Sequence, residues 1–519
     1  MKKFLSLVLA LVMTMSLVTV SAGAKDFTDS GELSGEQYAE AVNVMSEMGI
    51  IDGYAGGDFR PQGTLTRQAA AKIIACMILG KTTAESLGTS AAPFKDVPAG
   101  SSFAGYIAFC VERGLIDGYA DGTFRPTGTL TGFAFLKMLL GALGYDSSIE
   151  GYTGPNWTVN VAGRAYEIGL TAGNDEFVGA QACTREQAAL YAVNTLKTTL
   201  VEYTDRGSEI TVNGAVISTA ASVPTYVTSS VYNQATSINA DRDNSGDYTV
   251  EFAERYQPDL TMDRDTDDFG RPSYTWAWKN RDIGTYVDYS LMVAEYTTGV
   301  SGRELYNVLT ASTIRNADLD VYVDGVEPDE ADTIDKSDLS RSNQDDLGVT
   351  DNGVLTQVFV DTDANDGDGL ITIASINTWL AQATANYSES KEYAPLKVFT
   401  GKGGANTTYN VDVEDVANVA DVADEAFYLV NISYKDSNRG EVVAIQDAEV
   451  MEDSTVTKWS SDDDLVVSKL TTDGTQYEAA AKAYYDDENL YAYDRDLLTD
   501  MSYNVYLDQY GYVIGVELY

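Results

Sequence analysis

One pattern occurs twice in this chain, and its spacing constrains how the first third can be built. Gly49 to Thr66 reads GIIDGYAGGDFRPQGTLT, and Gly114 to Thr131 reads GLIDGYADGTFRPTGTLT. Every shared residue is displaced by 65 positions, so that Tyr54 answers to Tyr119 and Phe59-Arg60-Pro61 to Phe124-Arg125-Pro126. A fixed period of this kind marks one supersecondary unit that cannot bury its apolar face alone and must stack on its neighbours. A third, degenerate copy follows. Gly169 to Gly173 replaces the first glycine-bounded element and Cys183 to Ala188 the helix start, while the Phe-Arg-Pro triplet between them is lost.

Each copy reads as helix, loop, helix. Tyr38, Ala41, Val42, Met45 and Met48 recur at three and four, as do Phe103, Tyr106, Ile107, Cys110 and Val111. Val159, Ala162, Ala165, Tyr166 and Ile168 are the corresponding face expected in copy three. Gly49, Gly114 and Gly169 stand where a left-handed residue would stop the first helix. Thr66, Thr131 and Thr184 stand at the start of the second, where a hydroxyl can accept from an unpaired N–H. Thr184 and Gln187 form a capping-box pattern.

Residues 25–203 resemble the S-layer homology domain, found as three tandem copies on bacterial surface proteins. The GxxDGY, Phe-Arg-Pro and Thr-Arg elements carry the resemblance. It implies a three-pronged helical bundle whose grooves bind a secondary cell-wall polysaccharide, often with a pyruvate ketal, or a modified peptidoglycan. The family's helix start is Thr-Arg-Ala-Glu, its arginine gripping the acidic glycan. Thr66-Arg67 and Thr184-Arg185 keep that arginine, and Thr131-Gly132 does not. The resemblance therefore implies two competent grooves at most. Arg67, Arg185, Thr66 and Thr184 are the expected contacts, with Tyr54 and Tyr119 as stacking surfaces. A guanidinium fork matches a carboxylate, and a helix N-terminus adds free N–H groups. The structural alternative pairs Arg67 and Arg185 with Asp52 or Glu186, and packs the tyrosines in their loops. Arg60 and Arg125, beside Phe and Pro, read as loop braces.

The N-terminus reads as a secretory signal over residues 1–24. Lys2 and Lys3 precede an apolar run from Phe4 to Val20, and Ala22-Gly23-Ala24 is the cleavage pattern. No later stretch is apolar enough for a membrane span, and no C-terminal sorting signal is evident, so surface retention is expected to come from the repeats. Cys76, Cys110 and Cys183 fall one to a repeat on apolar positions, as buried free thiols would. Charge divides unevenly. Residues 1–200 hold 14 basic and 19 acidic side chains, and residues 201–519 hold 20 and 60, so that −40 of the net −45 lies after the repeats. Such a field repels nucleic acid and anionic membranes.

After residue 203 the apolar period changes to two. Strands are expected at 209–218, 286–294, 318–324, 355–361, 370–374, 427–434 and 503–507, with a final hairpin turning at Gln509 to Gly511. Short helices are expected at 301–309, with Ser301 and Glu304 as a capping box, and at 376–385 and 477–485. The fold class is thus an all-α three-repeat bundle followed by a β-rich region. The domain reading is a signal at 1–24, repeats at 25–88, 89–149 and 150–203, β-rich subdomains at 204–326 and 353–519, and a polar acidic linker or long loop at 327–352 between them. Three acidic runs are calcium candidates: Asp241 and Asp243; Asp263, Asp265 and Asp267; and Asp361, Asp363 and Asn365. None has the turn glycine and the final glutamate of an EF-hand loop together, and each also reads as a hairpin turn.

The chain has no histidine. Ser-His-Asp and Cys-His catalysis and the HExxH zinc site are therefore excluded. A glycosidase with paired carboxylates, lined by Trp276, Trp278 or Trp379, is not. The expected function is a secreted structural protein of the cell surface, tethered non-covalently to the wall and able to self-associate into a lattice. An adhesin and a wall-anchored hydrolase are the alternatives.

Overall fold

The computed structural model describes residues 27–519, except 90, 175, 213–214, 229–237, 239–248, 329–333, 401–405, 414–415, 462–465, 484–489, 491–496 and 500. The signal segment, Asp241 and Asp243 lie outside the described residues. The chain divides into two compact units. One is Gly23–Asp263 with Thr275–Gly284, and the other is Arg264–Tyr274 with Thr285–Tyr519.

The helices of the first unit are α1 (Glu36–Glu47), α2 (Arg67–Leu79), α3 (Lys81–Glu85), α4 (Ala104–Glu112), α5 (Gly132–Leu143), α6 (Trp157–Glu167) and α7 (Arg185–Leu196), then the single turn α8 (Phe252–Tyr256). The start of each second helix is fixed as the sequence requires. The hydroxyls of Thr66, Thr131 and Thr184 accept from the N–H groups of Ala69, Ala134 and Gln187, and Gln187 completes the capping box.

The copies are exchanged rather than self-contained. The second helix of each copy packs on the first helix of the next: α2 on α4, α5 on α6, and α7 back on α1. A ring of three backbone hydrogen bonds closes the centre. The Leu65 N–H donates to the carbonyl of Cys183 (2.8 Å), Cys183 to Leu130 (2.9 Å), and Leu130 to Leu65 (2.9 Å). All three residues are buried, so each bond satisfies groups that water cannot reach. The degenerate third copy keeps this ring although its loop has diverged.

The expected faces of copies one and two are largely buried: Tyr38, Ala41, Val42, Met45, Met48, Tyr106, Ile107 and Cys110 all lie in the core. Copy three differs. Val161 and Ala165 face inward, whereas Val159 is 69% and Tyr166 82% exposed. The rule of threes and fours fits two faces of α6 nearly equally, and packing selects the one with the smaller side chains.

In the second unit the capping box at Ser301 and Glu304 opens α9 (Gly302–Asn316). This helix packs with a four-stranded sheet ordered Met292–Tyr296, Leu355–Asp361, Leu370–Ile376, Asp318–Val323. Residues 334–352 have no regular strand or helix, yet Ile334, Leu339, Leu347 and Val349 are buried in the same cluster as Leu305 and Ile371.

Two further sheets have five strands each and the same connectivity. The first runs Thr407–Asp412, Tyr393–Val398, Trp379–Ala383, Phe427–Ser433, Glu441–Asp447. The second runs Thr475–Glu478, Val467–Thr472, Glu449–Ser461, Met501–Leu507, Val513–Leu518. In each, the first strand in sequence lies at the centre and pairs with the second and fourth. The third and fifth strands come together on the far side. In the second sheet a parallel bridge from Ala479 to Val513 closes that gap. This is the strand order of the OB-type Greek-key barrel, present twice in tandem. Phe427 joins the two cores, its ring centre 4.5 Å from that of Tyr506.

No helix forms at 376–385 or over the described part of 477–485: Trp379–Ala383 is a strand within the first range, and the strand Thr475–Glu478 runs into the second, followed by a bridge at Ala479 and a turn. Trp379–Ala383 pairs on both sides, with Ala381 opposite Val398 and Tyr428. Thr475–Glu478 pairs with Val467–Thr472. Their alanine-rich sequences favour helix locally, and the ladders override that preference. The terminal hairpin forms as expected, Val505 opposite Val516.

Candidate functional site

The two complete repeat loops are built from the same parts. Asp29 accepts from the N–H groups of Phe59 and Arg60, both at 2.7 Å. Asp96 does the same for Phe124 and Arg125, at 2.8 and 2.7 Å. These bonds, the one from Phe124 foremost, hold the Asp96 carboxyl below the ordinary carboxylate value. Phe27 packs on Phe59 and Phe94 on Phe124, each pair with ring centres 5.3 Å apart. Gly53 and Gly118 leave room for these rings, since a Cβ at either would lie 2.5 Å or less from Phe27 or Phe94. Arg60 and Arg125 take left-handed backbone and lie over Tyr54 and Tyr119, each 4.0 Å from the ring centre.

The helix-start arginines reach out of their own copies. Arg67 Nε donates to the Phe124 carbonyl (2.8 Å) and its Nη2 to that of Asp117 (2.6 Å). Arg185 Nε donates to the Phe59 carbonyl (2.8 Å) and its Nη2 to that of Asp52 (2.9 Å). Each guanidinium also lies near the face of the tyrosine in the loop it grips, Arg67 at 5.0 Å from Tyr119 and Arg185 at 4.9 Å from Tyr54. The carboxylates of Asp52 and Glu186 are engaged elsewhere. Asp52 pairs with Lys72 and Lys81, and Glu186 accepts from Ser34 and Gln62.

The third position of this cycle holds Gly132, and the loop it meets is the one without Phe-Arg-Pro. A Cβ at Gly132 would lie 3.1 Å from Phe177 and 3.2 Å from the Gly179 Cα. Phe133 packs edge-on to Phe177, and Phe177 to Tyr191. Loss of the arginine and loss of the triplet it would grip thus occur at one interface, where aromatic packing stands in their place.

The two arginine-bearing grooves differ in one lysine. In the groove with Arg185, the Lys72 ammonium lies 2.8 Å from Asp52. Burial works to raise the Asp52 carboxyl, and Lys72 and Lys81 outweigh it and lower it. In the groove with Arg67, the equivalent lysine is Lys137. It makes no ion pair among the described residues and sits 5.9 Å from the Trp157 ring centre. A cavity of about 270 Å³ opens there, bordered by Arg67, Asp117, Lys137, Tyr152, Thr153 and Trp157. Lys137, Tyr152 and Trp157 were not among the residues singled out from the sequence. Lys72 and Lys137 share the 65-residue offset, which is the signal that would have found the lysine.

Of the calcium candidates, Asp263 and Asp265 are exposed on one strand, while Asp267 is buried and accepts from Arg271 Nε at 2.7 Å. Asp361 caps the N–H of Asp363, and Asn365 donates to Asp318. Among the described residues no group of three or more acidic or cysteine side chains is arranged to hold a metal ion. The three thiols are free and buried. Trp276 is fully buried, its Nε1 donating to Glu40 at 2.8 Å, and so it cannot line an open cleft.

Three helix pairs exchanged around a closed ring, with capped helix starts and arginines reaching forward, define a cyclic repeat module. The chain carries S-layer homology domains, whose family model matches residues 26–71 and 93–136. The third copy lies outside those matches and is recognised by its place in the ring. The chain is similar to a surface layer protein of Brevibacillus choshinensis, 24% identical over 215 residues, which are 41% of this chain and 18% of that protein. It is also similar to a cellulosome-anchoring protein of Acetivibrio thermocellus, 37% identical over 82 residues, or 16% and 18% of the two chains. An endoglucanase of Bacillus sp. strain KSM-635 is 36% identical over 110 residues, 20% of this chain and 12% of the enzyme. The matches thus cover less than a fifth of each of these relatives. No helix among the described residues is long and apolar enough to cross a membrane.

Proposed function

We propose that this protein is a structural component of the bacterial cell surface, held on the wall by its helical unit, and that the groove between copies one and two is the principal glycan site. The observation that carries this reading is the Lys137 ammonium, placed with Trp157 and Arg67 around a cavity and making no ion pair among the described residues. An acidic sugar would place its carboxylate on Lys137 and its ring against Trp157, with Asp117 accepting from hydroxyls. Arg67 builds the groove by pinning the loop that carries Asp117 and leaves part of its fork for ligand. The Arg185 groove is the secondary site, because Asp52 already neutralises its lysine. The Gly132 groove is closed by Phe133 and Phe177 and takes no glycan.

Surface-layer and anchoring relatives support a tether rather than a catalyst, and the endoglucanase match reads as the same module attached to an enzyme. The experiment is retention of the mature chain on wall sacculi. Lys137→Ala should weaken retention about tenfold, the usual scale for one charge-assisted contact, with an unchanged melting temperature. Retention equal to the parent protein would remove the groove between copies one and two from this role.

A further inference from the structure

We infer that the first five-stranded barrel carries a second ligand site, on the strand-rich unit, for an uncharged sugar residue. The site lies where the barrel's third and fifth strands, Thr407–Asp412 and Glu441–Asp447, come together without forming a hydrogen-bonded ladder. A cavity of about 280 Å³ occupies that seam. This is close to the lower end of small-ligand pockets, about 300 Å³, and suits one or two sugar rings rather than a polymer-wide groove.

The lining explains the choice of ligand. Tyr409 is buried at the floor, and its hydroxyl donates to the Arg439 carbonyl at 2.9 Å. Arg439 lies across the ring, its guanidinium carbon 5.7 Å from the centre, and staples the seam by donating from Nη2 to the Thr408 carbonyl at 2.8 Å. That staple occupies the strand edge, which disfavours an added peptide strand. Asn410 and Glu441 are exposed at the rim, and Ser437 completes the polar lining. The pocket therefore presents donors from Arg439 and Asn410 and acceptors from Glu441, Ser437 and the Asn410 carbonyl. A polyol needs both kinds at once, because each hydroxyl donates and accepts. The lining holds one guanidinium and one carboxylate, so it is charge-balanced. It lies in a region with 60 acidic and 20 basic side chains, which repels an anionic ligand. The inference rests on these residues and not on the barrel's topology, since a fold hosts many functions.

The test is saturation-transfer NMR on the mature chain with chitobiose, cellobiose and maltose, and with glucuronic acid as the charged comparison. At least one neutral disaccharide should receive saturation, more strongly than glucuronic acid. The double variant Asn410→Ala with Glu441→Ala changes two exposed side chains and should weaken binding about tenfold with an unchanged melting temperature. Arg439→Ala should weaken binding likewise, with a lower melting temperature because the staple to Thr408 is lost as well. Lys137→Ala should leave this signal intact, which separates the barrel site from the helical tether. No transfer to any of the three disaccharides would overturn the inference. So would transfer unaffected by the double variant, or stronger transfer to glucuronic acid.

Discussion

Arg67 opens a helix in the first repeat, yet its Nη2 donates to the carbonyl of Asp117 fifty positions later, in the loop of the second. Arg185 repeats this contact on Asp52, so the last copy grips the first. The helix-start arginine is therefore a clasp between copies before it is anything else, and the ring is closed by side chains as well as by the Leu65, Leu130 and Cys183 backbone.

This makes Arg67→Ala a stability variant. Two hydrogen bonds from a charged donor are lost, one partly buried on Phe124 and one exposed on Asp117, and two carbonyls lose a partner, at a cost of about 1–3 kcal/mol. Thermal melting should show a drop of several degrees for Arg67→Ala and for Arg185→Ala. Arg67→Lys should restore little, because one ammonium cannot span carbonyls that a planar fork reaches together. An unchanged melting temperature in both alanine variants would contradict the clasp.

Gly132→Arg distinguishes a lost ligand from a closed groove. If copy two had merely lost its ligand, restoring arginine should strengthen wall binding. The structure places Phe177 and the Gly179 backbone within 3.2 Å of any added Cβ. The variant should instead destabilise the helical unit by about 1–3 kcal/mol, as overpacking does, with no gain in retention. Stronger retention at an unchanged melting temperature would show that the groove is open.

Stability should fall as pH rises from about 4 to about 7. Burial pushes the carboxyls of Glu251 and Asp508 up to about 7 and that of Asp324 to about 6, with Glu254 adding to the shift at Glu251. All three are at most 5% exposed. Each binds its proton more tightly folded than unfolded. The stabilisation is full below the unfolded values near pH 4, and is lost as pH rises through about 6 to 7. A shift of this size is worth on the order of 3 kcal/mol per group. Melting at high salt, where surface repulsion is screened, should retain the slope, and Glu251→Gln with Asp508→Asn should flatten it. A slope that is unchanged in the double variant would exclude Glu251 and Asp508 as its source.

The thiols should be silent until unfolding. Burial raises Cys76 to about 11 and Cys110 and Cys183 to about 12, and all three are buried. The thiolate is the reactive form, so a bulky disulfide reagent at pH 8 should titrate none of the three in the native chain and all three in denaturant. Native labelling of any one would place it at a mobile surface.

The features legible in the sequence were those set by short-range chemistry. Threonine caps, loop glycines, the capping box at Ser301 and the terminal hairpin each depend on residues a few positions apart, and each forms. The exchange of helices between copies was not legible, because Arg67 carries no mark of which loop it grips. Phe27-x-Asp29 and Phe94-x-Asp96 brace both loops, but their offset is 67, not 65, and falls outside the strict repeat. Lys137 and Trp157 come from two different copies, so only the fold brings them to one cavity. Strand Trp379–Ala383 reads locally as helix because its partners, Val398 and Val430, lie beyond any local window.

The most direct measurement is sedimentation of the mature chain with wall sacculi from its own host, before and after chemical stripping of the polymers attached to peptidoglycan. The protein should pellet with intact sacculi, Lys137→Ala should reduce the pelleted fraction, and stripping should abolish it if the ligand is the secondary polysaccharide or leave it if the ligand is modified peptidoglycan. A correctly folded chain that stays in the supernatant with every preparation would contradict the tether itself.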